Sequence, residues 1–198
     1  MSTTRQPGRK ELSHQRIVEA AARAIRREGF AGVGVADIMK EAGLTHGGFY
    51  AHFPSRDALL VEAIESAGLE NAKNVLSSAQ DARLRGISAF HKLVVGYLSE
   101  AHLKSAEIGC AVAALASEMP RQSTAVQKAA AQSVRRMLDA VQQALPPGVE
   151  PEAAASIASQ MVGALQMARA LGANAEGKSL LAAGGRQLLA QYDTRRHH

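Results

Sequence analysis

Apolar residues recur at steps of three and four along most of the chain, and no segment alternates with the period of two that marks a strand. From Leu12 onward, Ile17, Val18, Ala21, Ala24 and Ile25 share one helical face as far as Glu28. Gly29 then offers the left-handed conformation that closes a helix. A short second helix is predicted over 35–42, with Val35, Ile38, Met39 and Ala42 on one face, and Gly43 ends it. A third runs from Thr45 to the region of Phe53, where Pro54 breaks it, and Ser55 is a good N-cap for a fourth. Helical spacing continues over 55–79, 82–103, 107–118, 123–145, 151–171 and 178–193. Gly86, Pro120, Pro146-Pro147-Gly148 and Gly172 punctuate it. The stretch 1–10 is polar, carries Pro7 and Gly8, and reads as a loose basic arm that includes Lys10.

The fold class is therefore all-α. Composition adds what kind of core to expect. Of 198 residues, 46% are hydrophobic but only 4% aromatic, with no Trp, so Ala, Leu, Val, Ile and Met must fill the interior. No apolar run approaches the roughly 20 residues that span a bilayer. The N-terminus lacks the apolar stretch of a signal peptide, which predicts a cytoplasmic protein. A single cysteine, Cys110, excludes an internal disulfide and a multi-Cys zinc site, and neither a metal nor another cofactor is expected. The terminal His197-His198 reads equally as native sequence or tag.

Charge changes the picture by its placement. The formal net charge is +5, and residues 1–56 hold nine Lys/Arg against five Asp/Glu while the remainder is nearly balanced. An excess concentrated in this way is the footprint of a nucleic-acid-binding module. The stretch 35–53, VADIMKEAGLTHGGFYAHF, gives that footprint a geometry. Two short helices meet through Gly43, which supplies the positive φ of a tight turn. Packed on a longer first helix, such a pair is a helix-turn-helix, whose second helix lies in a DNA major groove. Phe49 and Phe53, four apart, share a face and are assigned to the core. Tyr50 and His52 lie off that face and carry groups able to donate hydrogen bonds to phosphate oxygens.

The run Gly43-Leu44-Thr45-His46-Gly47-Gly48-Phe49-Tyr50-Ala51-His52-Phe53, followed by Ser55-Arg56-Asp57-Ala58-Leu59, resembles the TetR family of bacterial transcriptional regulators. Ile17 to Ala24, Gly29-Phe30 and Ala36-Asp37-Ile38 fit its upstream helices, so the resemblance covers about residues 11–60. Beyond it, Gly109-Cys110-Ala111-Val112 and Leu115 to Glu118 look like a segment of one broad branch. The resemblance implies an N-terminal three-helix DNA-binding domain over 1–54, with the helix-turn-helix at about 34–53, and a C-terminal helical ligand-binding and dimerisation domain over 55–198. It implies that Thr45, His46, Gly47 and Gly48 form the base-facing first turn and that Tyr50 and His52, with Lys10 nearby, clamp phosphates. The partners implied are double-stranded palindromic operator DNA, a small-molecule effector and a second copy of the chain, with no membrane. Two departures stand out. Val33 and Gly34 stand where the family often has Thr or Ser, and the paired glycines offer no side-chain donors, so sequence preference would rest on His46, Thr45, close backbone approach and DNA shape.

Outside that stretch the residues leave alternatives open. Cys110 reads as a buried packing residue or, if Gly109 caps a helix and places the thiol in its first turn, as a redox or electrophile sensor. His91, Tyr97, Cys110, Met161 and Gln166 are candidates for an effector pocket, and Met119 and Met167 for its lining or for plain core. Small residues along 151–171 (Ala154, Ala158, Gly163, Ala164, Ala168) and along 178–193 suit close helix packing, either within one subunit or across a four-helix dimer interface. The expected function is a homodimeric repressor released from its operator by an effector or by modification of Cys110. The competing readings are a helical interaction or small-molecule-binding module without specific DNA binding, and an enzyme built on Cys110 and a histidine, for which no nucleotide-binding glycine motif, nucleophile elbow or metal spacing is present.

Overall fold

The computed structural model describes residues 8–193; the arm before Gly8 and the terminal histidines lie outside the described residues. Within them the chain is helical, without strands. The helices are α1 (Arg9–Gly32), α2 (Val35–Glu41), a 3-10 helix (His46–Ala51), α3 (Arg56–Leu84), α4 (Ala89–Tyr97), α5 (Glu100–Lys104), α6 (Ala111–Leu115), α7 (Thr124–Ala144), α8 (Ala153–Leu171) and α9 (Ala175–Tyr192). Lys10 belongs to the first turn of α1 and not to a loose arm, because the helix starts at Arg9 behind a Gly8 N-cap whose backbone N–H donates to Glu11.

Two apolar cores organise these helices. The first gathers Ile17, Ile25 and Phe30 of α1, Ile38 and Met39 of α2, Phe49 and Phe53, and Leu59, Leu60 and Ile64 of α3. It also takes in Leu115, Met119, Val126 and Ala130, so the N-terminal helices sit on α6 and α7 as well as on α3. The second gathers Phe90, Val94, Tyr97, Cys110, Met137, Val141, Ile157, Met161, Leu165, Leu181 and Leu188. Helix α3 serves both, with Leu59 to Ala67 in the first and Val75 packed on the second.

Three departures from the sequence pattern have local causes. The expected 82–103 helix is broken, because Gly86 turns the chain at φ 68° and the Ser88 and Ser99 hydroxyls cap two new helices by accepting from the His91 and His102 N–H groups. The expected 107–118 helix shrinks to α6, with 3-10 turns at Ala106–Ile108 and Met119–Arg121. The recognition segment is a 3-10 helix of six residues and not an α-helix to Phe53. Adjacent Gly47 and Gly48 are poor α-helix formers, each costing about 1 kcal/mol relative to Ala, and a single tightened turn suffices to aim Phe49 and Phe53 inward.

The segment 105–118 bolts the N-terminal helices to the rest. Arg26 of α1 is 6% exposed; its Nη1 donates to Gly109 O at 3.0 Å and its Nε to Ala22 O at 2.9 Å. Burial pushes this guanidinium below the ordinary arginine range, with Glu70, 3.8 Å away, opposing the shift. Glu118 accepts from the Phe30 N–H at 2.9 Å, and Glu107 pairs with Arg27 at 3.3 Å. Across the same peptide unit that gives Arg26 its Gly109 acceptor, the Cys110 N–H donates to His102 Nε2 at 3.0 Å. His102 Nδ1 lies 2.7 Å from Tyr97 O. Since Nε2 accepts, Nδ1 must carry the proton and the ring must be neutral. Gly109 has no room for a side chain: a Cβ there would fall 2.6 Å from the His102 ring and 3.1 Å from Arg169 Nη2.

Two outcomes are expected. Gly29 adopts φ 79°, ψ 172°, and a Cβ there would lie 2.5 Å from Glu118 Oε1. Gly29→Ala should therefore cost about 1–3 kcal/mol of stability in urea unfolding; an unchanged midpoint would show that the backbone relaxes freely. Burial, and then the Arg169 charge, hold His102 below its ordinary pKa, against the Tyr97 carbonyl. The unfolded chain thus binds more protons below the ordinary value of about 6.5, so this group's contribution is complete above that pH and is lost as pH falls toward the depressed folded value. Stability measured from about pH 7 to about pH 5 should fall, and His102→Asn should remove part of that slope. Identical slopes for the two proteins would mean that His102 ionises freely in the fold.

Candidate nucleic-acid interface and ligand pocket

The recognition segment is anchored from below. Phe49 and Phe53 are 2% and 1% exposed and stack with centroids 5.7 Å apart. His14 of α1 stacks on Phe53 at 4.4 Å and its Nε2 meets Glu62 Oε2 of α3 at 2.6 Å. Gly43, at φ 70°, reverses the chain after α2, and the Leu44 N–H closes the turn on Met39 O at 2.8 Å. With those groups committed inward, Thr45, His46 and Gly47 are exposed. Gly48 is half-buried, 3.7 Å from Met39 Cε by its would-be Cβ, whereas a Cβ at Gly47 would meet nothing within 4 Å. Tyr50, 76% exposed, stands beside them with its ring edge-on to Phe49.

His52 does not lean fully outward as the sequence suggests. It is half-buried, and its Nδ1 is enclosed without a partner among the described residues. Burial lowers its pKa, and the charges of His14 and Lys10 lower it further. Lys10, exposed at the start of α1, is thus brought near His52, though the two are far apart in sequence. Exposed cationic and hydroxyl donors beside a small polar turn are the equipment for gripping phosphates while backbone and short side chains approach base edges.

The second site is a pocket of about 340 Å³ between α3, α4 and the 99–109 segment. Val75, Leu93 and Ile108 give it apolar walls, and Asn71, Tyr97 and His102 its polar ones. Of the sequence-derived pocket candidates only Tyr97 lines it. His91 is held at the α4–α9 contact, its Nδ1 3.2 Å from Asp193. Met161 is wholly buried in the second core, and Gln166 is half-exposed on α8; neither lines the pocket, and nor does Met119, which belongs to the first core, or Met167, 57% exposed. Cys110 is 1% exposed and sits behind the wall, its Sγ 4.0 Å from Met137 Sδ. It is the N-cap of α6 rather than a first-turn residue, so it stands at the helix's N-terminal end with its thiol buried. His102 Nε2 accepts from the Cys110 amide, an arrangement that orients the backbone.

Comparison with known proteins bears on the N-terminal head and on the fold. Residues 17–63, which span α1 to the first turns of α3, match the sequence model described as bacterial regulatory proteins, tetR family. An uncharacterised HTH-type transcriptional regulator of Bacillus subtilis, YerO, is 39% identical over 51 residues, which is 26% of this chain and only 18% of that protein. An uncharacterised HTH-type transcriptional regulator of Mycobacterium tuberculosis is 27% identical over 166 residues, covering 78% of this chain and 83% of the relative. Among solved structures, the reduced form of E. coli NemR superposes with a TM-score of 0.78 at 18% identity, covering 93% of this chain and 98% of that one. A TetR-family regulator from Agrobacterium tumefaciens does so at 0.73 and 19%, covering 92% and 98%. These two likenesses establish the fold; the N-terminal match joins it to the exposed turn and its anchors. The N-terminal part of the chain is thus similar to the tetR family of bacterial regulatory proteins, and the described chain shares the fold of the solved TetR-family regulator.

Proposed function

We propose that the protein is a cytoplasmic homodimeric repressor, released from a palindromic operator when a small molecule enters the pocket beside Tyr97 and His102. The observation that carries this reading is the direct tie between pocket wall and DNA-binding helices: His102 and Arg26 hold the two ends of one peptide unit. Occupation of the pocket is thereby able to change the seat of α1. Thr45 and His46 read base edges with the backbone of Gly47 and Gly48, and Tyr50, His52 and Lys10 hold phosphates.

The dimer reading rests on α8 and α9. The face of α9 made by Ala175, Ser179, Ala182, Ala183, Arg186 and Ala190 is exposed along its whole length and nearly all small. On α8, Val162, Gly163 and Gln166 are half-exposed, with Met167 and Ala170 exposed beside them. A second copy laid on these faces would form a four-helix interface and set two recognition turns for major-groove half-sites roughly 34–36 Å apart. The buried Cys110 thiol favours packing over sensing, which leaves ligand as the releasing signal.

Gel retardation with DNA flanking the protein's own gene tests the DNA roles. Lys10→Ala should reduce the slope of log affinity against log salt by about 1 and weaken all sequences alike. His46→Ala should relax preference at one position by about 1–3 kcal/mol; if it instead behaves like Lys10→Ala across a panel of sites, the division of roles is wrong. Sedimentation tests assembly. Ala183→Glu should yield folded monomers whose operator affinity is lower by about 10² or more, the loss of two linked half-sites. A wild-type protein that sediments as a single subunit at working concentration would remove the dimer.

A further inference from the structure

Resting on the reading of the pocket as an effector site, we propose that its ligand is an amphipathic organic acid, an apolar body ending in one carboxylate or sulfonate, whose anion is received at the Gly109 wall by Arg169 and Tyr97.

The pocket's lining contains no carboxylate, and its one charged residue is Lys92. The larger groove between α1 and α3 differs: Glu19, Glu62, Glu65 and Glu70 line it beside Arg23, Arg26 and Lys73. The smaller pocket is thus the one of the two without a carboxylate to oppose an acid. The Tyr97 side chain lines the pocket and is 7% exposed, and its hydroxyl is enclosed beside the Cys110 thiol, with no oxygen or nitrogen partner among the described residues. Burial drives its pKa up, with the neighbouring Cys110 adding to the shift, so it remains a neutral donor. Arg169 of α8 stands directly behind the same wall. Its Nη2 donates to His102 O at 2.8 Å, but Nε and Nη1 are enclosed without partners among the described residues. Among the described residues no carboxylate pairs with it, and burial lowers its pKa. A guanidinium enclosed in this way and satisfied only by a carbonyl is costly to leave so, and an arriving acid supplies the anionic acceptor it lacks. Gly109 has no side chain to hold Arg169 off: a Cβ there would lie 2.6 Å from the His102 ring and 3.1 Å from Nη2, so only this glycine and that ring separate pocket from guanidinium, and the ring must shift for the acid to arrive.

The same bonds give the consequence for DNA. Arg169 holds the His102 carbonyl, His102 holds the Cys110 N–H, and Arg26 holds the carbonyl of that same peptide. An acid that draws Arg169 toward itself loosens His102, and through the peptide it loosens Arg26 and α1. Arg26 is a positioning residue in this chain, and DNA must weaken the acid by the same factor as the acid weakens DNA.

A matched pair of probes tests this: 8-anilinonaphthalene-1-sulfonate and its neutral parent N-phenyl-1-naphthylamine, each followed by fluorescence on the full-length protein. The sulfonate should bind about tenfold tighter than the neutral dye. Gly96 lines the pocket in α4 and a Cβ there meets nothing within 4 Å, so Gly96→Phe keeps the helix and fills the space; it should abolish binding of both. Arg169→Gln should erase the sulfonate's advantage and leave the neutral dye unchanged, while Arg169→Lys restores part of it, which a folding defect would not do. Equal affinities of the two dyes, or Arg169→Gln weakening both alike, overturns the acid; if the neutral dye still releases operator, the effector reading survives that failure. Binding that persists in Gly96→Phe overturns the pocket, as does failure of the sulfonate to bind at all. The ratio of operator affinities without and with the sulfonate isolates the relay. Arg26→Lys should leave dye affinity intact and bring that ratio close to one; an unchanged ratio sinks the relay. Failure of the dye-free protein to retard any operator fragment would count against the regulator itself.

Discussion

Arg26 carries a positive charge into the interior, where the cost of stripping water from a guanidinium is several kcal/mol unless acceptors replace that water. The acceptors are Ala22 O and Gly109 O, with Glu70 at the margin of reach. One belongs to its own helix, so only Gly109 ties the DNA-binding helices to the other half of the molecule through this side chain. The tie is unforgiving in both directions. Removing the acceptor takes one of two carbonyls from a buried cation, and moving Gly109 means moving the His102 ring packed on it. That constraint makes the segment 105–118 a fixed bridge rather than a loop, with Glu118 on Phe30 and Glu107 on Arg27 as its outer supports.

The recognition turn obeys the contrary rule. It must keep its polar atoms unspent for DNA, so it is held from one side only. Phe49, Phe53 and the stacked His14 supply that hold, while Gly47 and Gly48 keep the surface low enough for backbone to approach a groove. A 3-10 helix of six residues with few internal bonds is a weak element by itself. It persists because its two phenylalanines are core members, which is why the loss of α-helical geometry here costs the fold little.

The head was legible in the chain because its information is local. Gly43, Pro54 and the Phe49–Phe53 spacing act over a few residues, and the bounds of α7 and α8 likewise follow from a regular apolar face closed by Leu145 and Gly172. The same logic marked Tyr50 as exposed. The pocket was not legible in this way. Tyr97 was within reach as a polar ring on an apolar helix, but its partners His102, Arg169 and Arg26 come from three other helices, and the contacts joining them span up to 83 residues. Arg26 and Arg169 look in sequence like surface arginines of amphipathic helices, and nothing local says that a bare glycine at 109 will let both approach one peptide. His91 and Met161 were chosen for residue type, and type does not reveal which side of a helix a pocket will occupy. The 82–103 segment misled because Ser88 and Ser99 cap helices that periodicity alone runs together.

Helix α3 decides whether a disturbance at the bridge is large enough to matter. Its 29 residues make a rod of about 43 Å. One end is embedded in the first core with the DNA-binding helices, and Asn71, Asn74, Val75 and Ser78 farther along line the ligand pocket. A shift of about 1–2 Å where the pocket meets such a rod, the usual scale of helix movements in switching proteins, pivots its far end by a comparable or larger amount if the middle stays packed on α7. A dimer doubles the change, because the two rods diverge or converge together by symmetry. Two half-sites at a fixed helical repeat tolerate little of this, since phosphate contacts made at hydrogen-bond distance fail within an ångström or so. The bridge need therefore transmit only a small displacement, and a close-packed interior is suited to passing it on without absorbing it. On the proposed reading, Arg26 and α3 are two routes from pocket to head that leave different walls of one pocket, so a single occupant acts on both at once.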